Sequence, residues 1–367
     1  MQALSSTEDR MQRIATARKA VLFGESNGGE NYLQDWITES WQRCLSLGLQ
    51  PQRKLGFDVI TSAMQRNQRE ANHKLSLAAR STLTLLGQAI AQTRYFAILT
   101  NERGVVVDTG GVIDTTDPRA TLITRQGVDL SESAVGTTAI GATLAMQRNT
   151  WLHRGEHFFQ DTQCYSCAGT PITGPNGQCV GMLDVTGIDV PERPELMHLV
   201  ASSARAIENA LVLSTTHALV LHIQWPGQRG GQDSEGLICL DLDGVVCAIN
   251  PMARQILSID TPSQTPLHSS DIFACPVSMF FDAQARAQTL LLPLWTGLQV
   301  EVRTSKAGKL APKAQMHHAS FEEPLKDHET TLIRQTVTMM RGNVAAAAKK
   351  LGISRATVYR KIGKLHH

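Results

Sequence analysis

No stretch of the 367-residue sequence is apolar over anything near the ~20 residues a helix needs to cross a bilayer. The opening residues, Met1–Arg18, are polar and charged, so no secretory signal is expected. Cysteine is scarce and odd in number, 7 residues widely scattered, which argues against a disulfide framework and for reduced thiols. These shortages together predict a cytoplasmic chain with no membrane partner. The phosphate-cradling pattern Gly-x-x-x-x-Gly-Lys-Ser/Thr is also missing. Gly308-Lys309 is followed by Leu310, and Arg303 stands where the earlier glycine would have to be.

What the sequence does have is an uneven spread of charge. From Arg303 to His367 there are 13 Lys and Arg against 4 Asp and Glu, a net of +9. The rest carries 22 against 29, a net of −7, beneath an overall +2. A basic end on an acidic body suits a nucleic-acid-binding tail on a regulatory body. The length predicts two to three domains, and a hydrophobic content of 42% supplies real cores.

Within the basic end, Asn343 can cap a helix that begins with an Ala run, Ala345–Ala348. Gly352 sits where a helix end wants a left-handed residue, and Ser354 can cap a second helix over about 355–365. Two short helices joined by such a turn make a helix-turn-helix, with Val358 and Ile362 packing inward beside Leu351 and Ile353. The segment resembles the Fis-type helix-turn-helix of bacterial activators. The resemblance rests on Gly342-Asn343, Ala346-Ala347, Leu351-Gly352-Ile353-Ser354-Arg355, Thr357 and Tyr359-Arg360-Lys361. It implies double-stranded DNA as a partner, met by Asn343, Lys349, Lys350, Ser354, Arg355, Ala356, Thr357, Tyr359, Arg360, Lys361 and Lys364. Arg355, Ala356, Thr357 and Arg360 would face bases, and the four lysines would grip phosphates.

Residues 1–30 read as an N-terminal arm with a helix at about 8–22 that turns Ile14, Ala17 and Val21 inward. Residues 66–95 read as one long helix from their apolar spacing. Tyr95–Thr100 and Val105–Asp108 form a hairpin around Asn101-Glu102-Arg103-Gly104. Loops and helix occupy 127–155. Ala168–Ile172 then leads through Gly174-Pro175-Asn176-Gly177-Gln178 into the strand Cys179–Thr186, and a helix follows over about 194–214.

This order of helix, hairpin, helical loops, hairpin and helix resembles a GAF sensory domain, closest to the regulators of acetoin and glycerol catabolism. The blocks that carry it are Ser40-Trp41-Gln42-Arg43-Cys44, Glu132, Val135–Gly141, Glu156-His157-Phe158, Cys167–Ile172 and Gly181–Gly187. It implies a small-molecule effector held by Glu132, Gly136, Thr137, Thr138, Glu156, His157, Phe158, Cys167 and Asp184, with no cofactor and no metal. Further on, Leu237–Asp241, Val245–Ile249 and the Asn250-capped helix opening at Pro251 resemble the start of a PAS domain. Leu290–Leu294 and Leu298–Val302 would complete its sheet, Pro293 marking an edge strand. The expected class is α+β, arranged as 1–30 arm, 31–215 GAF sensor, 216–305 PAS-like domain, 306–326 linker and 327–367 helix-turn-helix.

Regulators of this family often carry an ATPase domain ahead of the helix-turn-helix. The missing phosphate loop and the short 304–326 linker depart from that pattern, so ATP-driven remodelling of polymerase is not expected. The sequence predicts instead a sensor joined to a DNA reader, working with RNA polymerase. Leu196, Leu199, Val200, Ser203, Ile207, Ala210, Leu211 and Ser214 form a stripe on the 194–214 helix richer than a lone surface helix needs, which predicts a homodimer. Ile333, Val337 and Met340 on a helix at 327–341 would contribute to it. Cys164, Cys167, Cys179 and His157 offer a metal or redox alternative, with packed thiols favoured. An enzyme is disfavoured, because no Ser-His-Asp order or carboxylate pair emerges around Glu132, Arg154 and Asp184. A purely nucleoid-structuring role is disfavoured by the size of the body.

Overall fold

The computed structural model describes residues 2–24, 33–58, 60–228, 235–259, 266–306, 336–337, 340, 344–355 and 357–358. It divides into two compact units, Met1–Leu310 and Ala311–His367. The first is built on two five-stranded antiparallel sheets, so the fold class is α+β.

Four helices precede the first sheet: α1 (Gln2–Phe23), α2 (Asp35–Ser46), α3 (Ser62–Ala71) and α4 (His73–Ile90). The sheet contains β1 (Tyr95–Asn101), β2 (Val106–Gly110), β3 (Thr150–His153), β4 (Tyr165–Thr173) and β5 (Cys179–Ile188) in the order β2-β1-β5-β4-β3. Between β2 and β3 lie the short helices α5 (Pro118–Thr124), α6 (Glu132–Val135) and α7 (Ala139–Met146). The long α8 (Leu196–Ser214) follows β5. Every position of β1 is buried, because the sheet is covered on both faces. Tyr95, Ala97, Leu99, Leu183 and Val185 meet α4 and α8, whereas Phe96, Ile98, Cys167 and Met182 meet the side bearing α1 and α2.

Two expectations are corrected here. The helix expected over 66–95 begins earlier, ends at Ile90 and is interrupted at Asn72. The buried Asn72 amide donates to Gln68 Oε1 (3.0 Å), and its backbone sits at φ −93°, ψ 5° instead of helical values. The apolar stripe of α8 is already covered within the chain. Leu196, Val200, Ala204, Ile207 and Leu211 pack with Leu75, Leu83, Leu86 and Ile90 of α4 and with the sheet, so the stripe is no sign of a partner subunit.

The second sheet comprises β6 (Leu219–Gln224), β7 (Gly236–Leu240), β8 (Val246–Ile249), β9 (Leu290–Pro293) and β10 (Gln299–Lys306) in the order β8-β7-β6-β10-β9. Pro293 lies in an edge strand, as its missing N–H requires. β6 escaped the sequence, since Leu219–Gln224 carries no turn signal at its entry. Helices α9 (Pro251–Leu257), α10 (Ser269–Ile272) and α11 (Ser278–Ala285) accompany this sheet. Asn250 caps α9 through the Ala253 amide (2.8 Å) with Pro251 in its first turn. Leu219, Leu221, Ile238, Val300 and Val302 surround the edge-to-face pair Phe273 and Phe280.

In the second unit, α12 (Val344–Leu351) ends at Gly352, whose φ of +67° is the left-handed conformation expected there. Ser354 Oγ accepts from the Thr357 amide (3.1 Å) as an N-cap does. Val358 is fully buried beside Ala348, Val344, Leu351 and Ile353.

Candidate functional site

The expected ligand residues fall into two groups. One group holds helices together. Glu132 takes a bidentate pair of bonds from Arg43 of α2 (2.8 and 2.9 Å) and one from Ser40 (2.7 Å). Thr137 is buried against Ser40 Oγ (2.7 Å) and Cys44 Sγ (3.5 Å). The Ser40–Cys44 block thus locks α2 onto the segment around α6. Gly136 has φ +67°, and a Cβ there would stand 2.9 Å from that of Phe158. Phe158 is fully buried edge-to-face on Phe159. Glu156 pairs with Arg10 (2.7 Å) and accepts from the His153 amide (2.6 Å). Burial raises its pKa, against the opposing pull of Arg10.

The other group lines a small, partly open pocket of about 30 Å³, with Thr138, His157 and Cys167 in its wall beside Phe57, Ile98, Leu130, Ile140, Tyr165 and Thr186. That volume holds about two waters. Thr138 has a second duty, capping α7 through the Gly141 amide (3.1 Å). The fully buried His157 places Nδ1 3.0 Å from the Arg154 carbonyl. A carbonyl only accepts, so Nδ1 carries the proton. Burial holds the imidazole pKa down to about 4, so the ring is neutral and Nε2 is an acceptor. Cys167 Sγ is 3.4 Å from Nε2, and its thiol, pushed up by burial, keeps its proton to donate. The Thr186 hydroxyl lies 3.2 Å from Cys167 Sγ and in short contact with Asp184 Oδ2. Asp184, Thr186, Cys167 and His157 therefore form one buried polar chain along the cavity's side of the sheet.

The sequence did not point to α1 as part of this site. Arg18, almost fully buried, donates to the carbonyls of Gly155 (2.8 Å), His157 and Phe158 (2.8 Å), and its guanidinium lies 5.4 Å from the ring of Trp41. Trp41 Nε1 donates to the Glu156 carbonyl (3.0 Å). These bonds strap the loop that carries His157 over the cavity. Burial lowers the Arg18 pKa to about 10, which leaves it charged. The available signal was its spacing: Arg18 sits four residues after Ile14 and one after Ala17, on the inward side of an amphipathic helix.

The cysteine cluster does not assemble. Cys167 pairs with Thr186 and Cys179 with Thr173 in the same ladder, six positions apart, or about 20 Å at strand rise. Among the described residues no group of three metal-binding side chains comes together. A wider cleft of about 700 Å³, lined by Lys74, Glu102, Gln178 and Ser214, opens beside the turn between β4 and β5. Its wall mixes polar side chains with Leu75, Val180 and Leu211, and it does not contain the expected site residues.

In the second unit Lys349, Lys350, Ser354 and Arg355 are exposed and Thr357 is half-buried. Asn343, Ala356, Tyr359, Arg360, Lys361 and Lys364 lie outside the described residues, as does most of the helix expected at 327–341. No helix among the described residues is long and apolar enough to cross a membrane.

The first unit thus carries a small pocket beside a loop strapped by Arg18, and the second carries a Gly352 turn followed by the Ser354 cap. Residues 22–209 match the family described as "MimR, N-terminal domain", and the chain belongs to that family. Residues 324–365 match "Bacterial regulatory protein, Fis family". The chain is similar to the signal-transduction and transcriptional-control protein of Clostridium beijerinckii, 26% identical over 61% of this chain and 36% of that one. It is similar to the acetoin dehydrogenase operon transcriptional activator AcoR of Bacillus subtilis, 25% identical over 61% of this chain and 37% of that one. It is also similar to the propane 2-monooxygenase operon transcriptional activator MimR of Mycolicibacterium smegmatis, 26% identical over 64% and 39%. The chain spans less than two-fifths of the length of each of these relatives.

Proposed function

We propose that the chain is a ligand-responsive, sequence-specific DNA-binding regulator of a catabolic or stress operon, acting without ATP hydrolysis. The sensor spans 31–215 behind the 1–30 arm, the PAS-like part 216–305, the linker 306–326 and the reader 327–367. The observation that carries this is the small apolar pocket beside the Arg18-held loop, in a chain whose Ser354-capped helix opens with an exposed Arg355. The similar proteins govern acetoin and propane operons by their names, which supports a small effector. RNA polymerase and a second copy of the chain are the proposed macromolecular partners, beside double-stranded DNA.

DNA from upstream of the chain's own coding region serves as the test ligand, with affinity followed as a function of salt. Lys350→Ala should weaken all sequences alike and shrink the log–log salt slope by about 0.9, one phosphate's share. Arg355→Ala should lower the preference for the upstream DNA over random DNA by about 1–3 kcal/mol. Equal losses on both DNAs for both variants would make Arg355 a backbone contact. No binding to any DNA would remove the proposal.

A further inference from the structure

The second sheet carries a buried acid on the face turned away from its Phe273 and Phe280 core. Glu235, one residue ahead of β7, is 7% exposed. His222 of β6 stands between Arg303 of β10 and Leu237 of β7 in register. Side chains alternate along a strand, so Glu235, His222, Arg303 and Ser305 share one face, while Leu221, Ile223 and Val302 fill the core on the other. Glu235 forms an ion pair with Arg303 through Oε1, and its Oε2 lies 3.0 Å from His222 Nδ1. Nε2 of the same ring lies 3.0 Å from Ser305 Oγ.

The proton positions follow from the partners. A carboxylate held by an arginine only accepts, so Nδ1 carries the ring's proton. Burial lowers the His222 pKa and the Arg303 charge lowers it further, so the ring is neutral and Nε2 keeps a lone pair. Ser305 therefore donates to Nε2. Serine to imidazole to carboxylate is the order of a nucleophile, its base and the group that orients the base. Burying Glu235 accounts for Arg303 and His222, whose N–H groups satisfy it. It does not account for Ser305, which is half-buried and whose hydroxyl water would serve equally well. Ser166 is the contrast: its hydroxyl lies 2.8 Å from His153 Nδ1, but it is fully buried and out of a reagent's reach.

We propose that Ser305 is a nucleophile that takes a small acyl group from an activated ester, with His222 as its base and Glu235 and Arg303 as positioning residues. Ser305 Oγ bonds to the ester's carbonyl carbon as its proton passes to His222 Nε2. The ester's C–O bond then breaks, and the imidazolium returns the proton to the departing alkoxide. The acyl group stays on Ser305 and the alcohol leaves. This activity is separate from effector recognition and from DNA binding.

The full chain is mixed with 4-nitrophenyl acetate, and released 4-nitrophenol and the masses of its peptides are followed. A burst of about one equivalent should appear, with the acetyl group on Ser305 and none on Ser166. An alkyl fluorophosphonate should label the same serine, with loss of fluoride. Ser305→Ala should abolish both and leave the melting temperature unchanged. His222→Gln keeps an N–H for Glu235 but has no basic nitrogen, and should slow the burst by about 10²-fold. Glu235→Gln leaves Arg303 uncompensated beside the ring, so the inflection of rate against pH should move lower. No acetyl or phosphonyl group on Ser305 in the parent overturns the proposal, as does a burst that survives Ser305→Ala. A His222→Gln rate equal to the parent's overturns it equally, since the hydroxyl would then react unaided. An unmoved inflection in Glu235→Gln removes the positioning role.

Discussion

Burial raises the Asp184 carboxyl to about 7 and the Glu208 carboxyl on α8 also to about 7, each far above the ordinary range. A carboxyl raised on folding takes up a proton as the chain folds, so stability is greatest below the unfolded value and declines as pH climbs through the folded one. Asp184, with three units between its two states, contributes on the order of 4 kcal/mol to that decline. The midpoint of unfolding should fall between pH 5 and pH 8, and Asp184→Asn should flatten the slope. An unchanged slope in the variant would show that the acid ionises freely in the folded chain. The sequence placed Asp184 among the site candidates through its block, Gly181–Gly187, but not its role. Beyond the neighbouring Thr186, what an acid on a strand meets depends on residues far apart in the chain, here Gly169 and Ile98. The same holds for Glu132 and Thr137, whose blocks were visible while their partners on α2 were not.

Elements whose signals are local were legible. The Gly352 turn, the Ser354 cap and the inward Val358 follow from residues within a few positions of one another. The Asn250–Pro251 helix start and the Pro293 edge strand follow in the same way. Helix α8 shows the limit: its stripe was plain, but the face that covers it, on α4 and the sheet, is set by the tertiary fold. Helix α1 shows it more sharply, since a charge on its inward side became the strap over the cavity loop. Arg18→Leu should leave the carbonyls of Gly155, His157 and Phe158 without their donor and destabilise the first unit by about 3 kcal/mol. Its particular signature should be early proteolytic release of residues 2–24 and a change in Trp41 emission, read on the folded protein. Loss of stability with no change in either would mean that α1 stays docked by Ile14 and Ala17 alone.

At the scale of the molecule, two sheets share one compact unit because several contacts join them. The helix α8 serves both: its inward stripe packs on the first sheet, and Val212 packs with Val220, Leu237 and Cys239 of the second. Glu208 of α8 accepts from the Thr173 amide at the end of β4 (2.8 Å), while the neighbouring Asn209 accepts from Asn250 ahead of α9 (2.8 Å). The turn from β4 to β5 then reaches the second sheet directly, where the Pro175 carbonyl accepts from the Ile249 amide (3.1 Å). Gly177 in that turn has φ +88°, and a Cβ on it would stand 2.9 Å from the guanidinium carbon of Arg254. Strands β4 and β5, which carry Cys167, Asp184 and Thr186, thus end against the second sheet. The first unit should consequently unfold in a single calorimetric transition, two sheets together. Gly177→Leu should break that unity, since the left-handed turn and the lost fit against Arg254 both oppose a side chain there. The expected result is two resolved transitions, the earlier one belonging to the second sheet, whose apolar core is the smaller. Two transitions already present in the parent would mean that α8 and the turn touch the second sheet without coupling its folding to the first.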